Sequence, residues 1–575
     1  MLAEDNGRTS ANMTNGMSEL SNKWTAALLI FIGSELMKQR FSMHVLTWFC
    51  LLMTGSFTAC TEDHPVAAPP RPHTAQGYVR PYAGLFGYGS NLGYYGAAWT
   101  DEQLATVVHA AGGTTIRVTL PEAFLEKWGA DIRRKAFAYY ADSLHLSDMV
   151  CFVGEPAPAH RDPVTYPGCA EPSKLFANLY EPIWNPDSTV NPNNYYAHYI
   201  YRLTQQYGAN IRVWEVVNEP DYITGTQNKE WLKRAPEPAE TPNVQAPIYR
   251  YIRTLRITWE VVKKYRPTAF VTPGGLGYPQ YLDALLRYTD NPHDGATTAE
   301  YPASGGAYFD VLDYHVYPSY YLRRRNWLRA GRFSYTRNSD YAAAQVIAHR
   351  DEMAAVLSRY GYNGTTYPRK HFIVTETNIS RRPAEWRAGT DEMQRNFGIK
   401  ALVLAQKNGI RQLHIFSLAE TTDAPPPATV VSSTDEFKLM GLYENLNRDA
   451  PGRQKMTQLG LGFQTTARLL RGLRYDETRT AALALPTTVE GGAFVGIGRT
   501  VFVLWAKTQT DQSEAAAATY SFPAALHLAR VAQYPWNHAA PGASPPVEHA
   551  SQGLILTGTP AFFVSALTAK AQSAK

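Results

Sequence analysis

Eight alternations of a short β-rich run with a helical pattern, two glutamates each delivered at the end of such a run, and a switch to short turn-bounded strands after Gly472 predict the fold class. It is α/β: a (β/α)8 TIM barrel followed by a small C-terminal antiparallel β-sandwich. A barrel builds its site at the carboxyl ends of its strands, where both glutamates fall. The 575 residues, 45% hydrophobic and 18% charged, are globular in composition and exceed a usual single domain. The chain divides into a leader (1–60), a proline-rich linker (61–80), the barrel (81–472), the sandwich (473–568) and a tail (569–575).

The elements follow in order. Phe86-Gly-Tyr-Gly-Ser-Asn91 is a first strand, and Thr100-Asp-Glu-Gln103 opens a helix as a capping box closed near Gly112. Strands two and three are 114–119 and 149–153, and a helix over 195–207 leads to the run Ile211-Arg-Val-Trp-Glu-Val-Val-Asn-Glu-Pro-Asp221. That run has the β-branched content of a strand buried on both faces, and Pro220 ends it directly after Glu219. A long helix begins at Ile248 and stops before Pro267. Strands at 269–272, 309–318, 372–375 and 411–416 alternate with helices at 342–360, 394–408 and 456–470. An open doubly wound sheet would show a Gly-rich phosphate loop after its first strand, but Gly87-Tyr-Gly-Ser-Asn-Leu-Gly93 opens no helix at its glycines. Beyond Gly472, runs at 481–485, 493–497, 500–505, 526–531, 554–556 and 561–564 are separated by Gly, Pro and Ser turns, the pattern of a sandwich.

The N-terminal segment reads as targeting. Lys38 and Arg40 precede the apolar run Val45 to Met53, then small residues and Cys60: a basic region, an apolar core too short to span a bilayer, and a cleavage site. Met43 is a candidate true start. Phe57-Thr-Ala-Cys60 resembles the lipobox of bacterial lipoproteins, with Phe57 where Leu is usual, and the resemblance implies a lipid anchor at Cys60; the expected location is periplasmic or cell-surface as a lipoprotein, or secreted. Of four cysteines, only Cys151 and Cys169 belong to the mature fold, either paired or as two separate thiols.

The balance of 55 Lys+Arg against 50 Asp+Glu, net +5, is too small and dispersed to argue for a nucleic-acid partner. No His/Cys/Asp group has metal-ligand spacing, and no Gly-x-Ser-x-Gly elbow or phosphate loop stands out, so no cofactor and no metal are expected. Two carboxyl groups at one barrel mouth suit glycosidic bond hydrolysis, in which one assists the leaving oxygen as an acid and the other attacks the anomeric carbon. Glu219 and Glu376 supply that pair. The amide of Asn218 is placed to meet a sugar hydroxyl, and Arg117 and Tyr317 are candidates to keep Glu376 ionised. His315 lies two residues from Tyr317, so a strand points both to one side.

Trp214-Glu-Val-Val-Asn-Glu-Pro-Asp221 resembles the acid/base signature of glycoside hydrolase clan A, the retaining (β/α)8 enzymes, and Thr375-Glu-Thr-Asn378 resembles its nucleophile segment. The similarity is nearest to family 39, which includes β-xylosidases and exopolysaccharide-cleaving enzymes, and extends to family 5. It implies Glu219 as acid/base, Glu376 as nucleophile and Asn218 as a sugar contact. His315-x-Tyr317, Arg117 and Met440-Gly-Leu-Tyr443 fit the same pattern. At strand eight many members carry a Trp where this chain reads Phe416-Ser-Leu-Ala-Glu420, which leaves the substrate open.

The expectation is an exported retaining glycosidase acting on an oligo- or polysaccharide by double displacement. The alternatives are a non-catalytic surface glycan-binding protein on a degenerate barrel, and an adhesin acting through its sandwich. Trp99, Trp184, Trp231, Trp327 and Trp386 are candidate sugar platforms, one or two of them at most, or staples that hold loops down; Trp505 and Trp536 in the sandwich either pack against the barrel, the favoured reading, or bind sugar. The basic run Leu322-Arg-Arg-Arg-Asn-Trp-Leu-Arg329, with Arg332 and Arg337, is either a solvated face or a binder of an acidic polysaccharide.

Overall fold

Alternation along each predicted strand decides what fills the barrel. The structure, a computed structural model, describes residues 78–223, 228–325, 333–335, 338–385 and 387–565. The expected leader, Cys60, almost all of the linker, the tail, Trp327, Trp386, Arg329, Arg332 and Arg337 lie outside the described residues. Eight strands form one parallel sheet: β1 (Gly87–Asn91), β2 (Thr115–Thr119), β3 (Met149–Val153), β4 (Ile211–Val216), β5 (Phe270–Pro273), β6 (Val311–His315), β7 (His371–Thr377) and β8 (Ile410–Ile415). Their order is β5-β4-β3-β2-β1-β8-β7-β6. The ring closes between β5 and β6 through Asp310 N–H to the Val271 carbonyl, 2.9 Å, and His315 N–H to the Leu276 carbonyl, 3.1 Å.

Inward residues of alternate strands stack in layers. The lower layer is apolar: Val150, Val213, Phe270, Val311 and Ile373, with Tyr82 stacked on Phe270 at 5.1 Å. Two residues further along the strands the interior turns polar, with Arg117, Glu215, Asp313, Thr375 and His414 all buried. Outward residues such as Trp214 and Tyr314 pack against the surrounding helices.

Those helices include α1 (Asp101–Ala110), α2 (Tyr195–Gln206), α3 (Ile248–Tyr265), α4 (Pro279–Arg287), α5 (Ser339–Arg359), α6 (Asp391–Lys407) and α7 (Gln458–Leu470). The capping box at Thr100 and Gln103 is formed as its residues predict. Helix α4 escaped the sequence reading because it is short and starts on Pro279.

After α7 come β9 (Arg474–Asp476), β10 (Val489–Gly496), β11 (Arg499–Ala506), β12 (Ala517–Tyr520), β13 (Arg530–Tyr534), β14 (Val547–Ala550), β15 (Leu554–Thr557) and β16 (Ala561–Ser565). Six of them form an antiparallel sheet, β9-β10-β11-β16-β13-β14, and β12 pairs with β15 in a ribbon. The expected strand at 481–485 is a correction. Only Ala481 of that run is in regular structure: it ends a helical turn over Glu477–Ala481 that the Asp476 side chain opens by capping the Arg479 amide, and 482–485 follow as turn and irregular chain.

This sheet domain packs on the N-terminal halves of α5 and α6. Trp505 is 1% exposed and its indole N–H donates to Asp340 at 2.6 Å. The Glu514 carboxylate accepts from the Ser339 amide at 2.8 Å, its hydroxyl at 2.5 Å and the Asn396 amide at 2.8 Å. The Arg395 guanidinium lies 4.4 Å from the Trp536 ring centroid. Both sandwich tryptophans are therefore used in contact with the barrel.

Candidate active site

The strand ends bring together all six residues singled out from the sequence. Arg117, on β2, is the hub. Its Nε and Nη2 donate to the two oxygens of Glu215 at 2.8 and 2.7 Å, its Nη1 to Glu376 Oε1 at 2.5 Å, and its Nη2 also to Asn218 Oδ1 at 2.5 Å. A guanidinium offers five N–H donors in a fixed fork, so one arginine can hold three elements in register. Burial lowers the Arg117 pKa, and Glu215 followed by Glu376 more than reverses this.

Glu376 is set by a register shift. Along β6 and β7, Tyr314 pairs with Val374 but His315 pairs with Glu376, so Thr375 is passed over. Thr375 and Glu376 both serve the barrel mouth as a result. Thr375 hydroxyl donates to Asp313 Oδ2 at 2.5 Å, while Glu376 accepts from Arg117 and, at 2.5 Å, from the Tyr317 hydroxyl. Burial raises the Glu376 pKa, but His315, Arg117 and the Tyr317 hydrogen bond outweigh it and hold the carboxyl below its ordinary value.

Glu219 stands on a strained turn. Val217 and Glu219 have φ of 61° and 46°, in the left-handed region that non-glycine residues seldom enter. Asn243 Nδ2 braces the turn by donating to the carbonyls of Asn218 and Glu219, and Asp221 accepts from the amides of Gly277 and Tyr278 at 2.9 and 2.8 Å. The turn also requires Gly274, since a Cβ there would sit 1.6 Å from the Val217 carbonyl oxygen.

His315 joins the two acids. Its Nδ1 lies 2.8 Å from Glu219 Oε1 and 3.9 Å from Glu376 Oε2, and its Nε2 lies 2.9 Å from Thr375 Oγ1. The Thr375 proton is committed to Asp313, so its hydroxyl oxygen accepts from His315 Nε2–H. The Nδ1 and Glu219 then share one proton. Burial lowers the His315 pKa, yet the charges of Glu376 and Glu219 carry it up to about 9. Asp313 is pushed up to about 7 by burial and then by Glu215.

One ligating atom from each of Glu219, His315 and Glu376 falls within 4.8 Å of the others, as does one from each of Glu215, Asp313 and His315. Sequence spacing did not foresee either group, because each draws its members from more than one strand. Arg117 already engages Glu215 and Glu376, and Thr375 engages Asp313.

Glu215, Asp313 and Thr375 are the site residues that sequence reasoning missed. The period-two rule that relates His315 to Tyr317 puts Asp313 on the same side, but only the closed ring, with Arg117 between the strands, shows that Glu215, Asp313 and Thr375 belong to the site. The candidate platforms Trp99, Trp184 and Trp231 are corrected. Trp99 and Trp231 are 4% and 1% exposed, and their indole N–H groups are taken by the Leu446 and Asp449 carbonyls and by Glu240. Trp184 donates to Glu260 beneath the Lys264 ammonium, 4.1 Å from its ring. They staple loops. At the mouth the aromatic surface is instead Tyr317, Phe416 and Phe437, with centroids 5.1 to 6.4 Å apart. Cys151 and Cys169 are free thiols.

No family model matches this chain, and no curated protein matches it. Among solved structures, a family 39 glycoside hydrolase from the gut symbiont Bacteroides cellulosilyticus WH2 superposes with a TM-score of 0.51 at 14% identity, over 85% of this chain and 81% of that one. A GH30 endoxylanase from Clostridium papyrosolvens C71 gives 0.47 at 12%, over 87% and 98%. An alpha-L-arabinofuranosidase from Thermotoga maritima gives 0.47 at 10%, over 83% and 96%. The likeness at 0.51 is one of fold: this chain has the barrel-plus-sheet architecture of a family 39 glycoside hydrolase.

Proposed function

We propose that the protein is a retaining O-glycoside hydrolase in which Glu376 is the nucleophile and Glu219 the acid/base. The observation that carries this reading is the separation of the two carboxylates. An oxygen of each lies within 4.8 Å of the other, close to the ~5–5.5 Å of retaining sites and short of the ~6.5–9.5 Å that an inverting enzyme needs for a water.

The surroundings divide the labour. Glu376, held ionised by Arg117 and Tyr317, attacks the anomeric carbon and forms a glycosyl ester as the C–O bond to the leaving group breaks. Glu219 gives its proton to the departing oxygen, then takes one from the water that cleaves the ester, restoring Glu376 and retaining the anomeric configuration. The short contact to His315 Nδ1 orients the Glu219 carboxyl and keeps a proton beside it. Asn218, whose oxygen is held by Arg117, offers its amide N–H groups to a sugar hydroxyl. Phe416 supplies part of the aromatic face at the mouth, where many clan A enzymes carry Trp.

The reading includes export, supported by the order of basic, apolar and small residues before Cys60. Among the described residues no helix is long and apolar enough to cross a membrane. The test is a screen of aryl glycosides and polysaccharides with the anomer of the first product followed by NMR. Retention supports the proposal, and inversion removes it.

A further inference from the structure

Glu376 accepts at both oxygens, from Arg117 at Oε1 and from the Tyr317 hydroxyl at Oε2, each at 2.5 Å. Arg117 is fixed by its own fork of donors, but a phenol reaches its acceptor only if its ring is held in place. The Tyr317 ring meets Phe416 and Phe437 edge-on, with centroids 5.8 and 5.1 Å away. Phe416 directly follows β8, whereas Phe437 lies in a helical turn, Asp435–Lys438, of the loop beyond it. One turn of helix has no stability of its own, so tertiary contacts decide where Phe437 points.

The contact that does so comes from the loop after β7. Glu436 is the buried residue of the turn, 0% exposed, and Arg387 holds both its oxygens: Nε donates to Oε2 at 2.9 Å and Nη2 to Oε1 at 2.7 Å. Such a planar two-bond pair fixes direction as well as distance. Adjacent residues of a helical turn point about 100° apart, so pinning Glu436 aims Phe437. The same guanidinium lies 5.2 Å from the centroid of the Tyr320 ring. Tyr320 belongs to the 3-10 turn Pro318–Tyr321, which starts at the residue after Tyr317. Arg387 is itself buried, and its backbone exchanges hydrogen bonds with Ala384 at 2.8 and 3.1 Å. Beside it the Val431 amide donates to the Pro383 carbonyl at 2.8 Å and the Glu385 amide to the Val431 carbonyl at 3.2 Å. The β7 and β8 loops are thus joined by backbone and side chain around one buried cation.

We propose that Arg387 is a positioning residue for the nucleophile: through Glu436 it sets Phe437, and through the Tyr320 face it sets the turn after Tyr317, so that the phenol stays on Glu376 Oε2. It acts through Tyr317 rather than on the reacting groups. The inference rests on the hydrolase reading for its consequence, because the Tyr317 hydroxyl is one of the groups that keep Glu376 ionised.

The test follows kcat/KM against pH on p-nitrophenyl glycosides for the full-length protein and its Arg387→Met/Glu436→Leu and Phe437→Ala variants, with Tyr317→Phe as reference. Removing both charges avoids leaving a buried carboxylate unpaired, and Phe437 is only half-buried, so both variants should fold. The acid limb of such a profile reports the carboxylate that must be ionised in the free enzyme. Loss of a hydrogen bond to a charged group should move that limb up by about one pH unit in Tyr317→Phe. The other two variants should move it in the same direction by a measurable part of that shift. An acid limb unmoved in both, even with a lower Tm, overturns the proposal, since lost stability alone does not change the charge on Glu376. Crystal structures of the two variants give a readout that needs no turnover: a Tyr317 oxygen moved out of hydrogen-bonding reach of Glu376 supports the clamp, and one still at 2.5 Å overturns it. If the wild type hydrolyses no glycoside, the hydrolase reading is what fails, and those structures still decide the clamp.

Discussion

His315 Nδ1 sits 2.8 Å from Glu219 Oε1, and the same nitrogen is 3.9 Å from Glu376 Oε2, so one imidazole feels both acids. Its pKa rises from 6.5 to about 9, driven by the charges of Glu376 and Glu219 against the opposing effect of burial. Between these two values the native protein binds a proton that the unfolded chain has lost. The His315 contribution to stability is therefore complete below pH 6.5 and drains away as pH climbs to about 9. Tm measured against pH for wild type and His315→Gln should give a difference curve that declines over this window. A flat difference would remove the proton sharing assigned to His315.

Gly275 predicts an effect at a distance from the chemistry. A Cβ there would lie 2.0 Å from His315 Nε2, so Gly275→Ala must push the imidazole away from Thr375 and Glu219. A displacement of about 1 Å in a positioned group costs on the order of a hundredfold in rate. The expected outcome is a fall in kcat of that size in a protein that still folds, as checked by its circular dichroism. Wild-type kcat in Gly275→Ala would show that His315 need not stay where it is.

Arg117 predicts a stability effect as well as a catalytic one. With both glutamates buried around it, Arg117→Met leaves Glu215 at 0% side-chain exposure without its cation. Breaking a buried pair on one side costs about 3–5 kcal/mol, which chemical denaturation resolves. The double variant Arg117→Met/Glu215→Leu should recover part of that loss while activity stays absent, because Glu376 still lacks the donor that holds it ionised. A single variant as stable as wild type would contradict the hub role.

The sheet domain makes its own prediction. Glu514 accepts three hydrogen bonds from Ser339 and Asn396 on the barrel, and Glu514→Ala leaves those donors unpaired. Each buried unsatisfied polar group costs about 1–3 kcal/mol, so Tm should drop by several degrees with little change in KM on an aryl glycoside. A large KM change with unaltered Tm would mean that this interface shapes the site rather than supports the barrel.

Much of this was legible in the chain, for identifiable reasons. Strand β4 announces itself because its two faces are buried alike and Pro220 cuts it off, which also exposes Glu219 at its tip. The pairing of Arg117, Tyr317 and Glu376 follows from placing complementary charges and donors at strand ends. Glu215 and Asp313 were hidden because buried acids on a barrel interior look, in one dimension, like ordinary strand residues; only closing the ring shows Arg117 between them. Trp99 and Trp231 stood open between platform and staple because an indole in a loop reads either way until its N–H is seen to be occupied.

The covalent step is the centre of the account, and it is tested most directly by trapping. Incubation with activated 2-deoxy-2-fluoro glycosides, which form the ester faster than water removes it, followed by intact-mass and peptide mass spectrometry, should add one sugar to the protein and map it to the peptide carrying Glu376. A sugar found on another carboxylate, or none while turnover proceeds with inversion, would contradict the account.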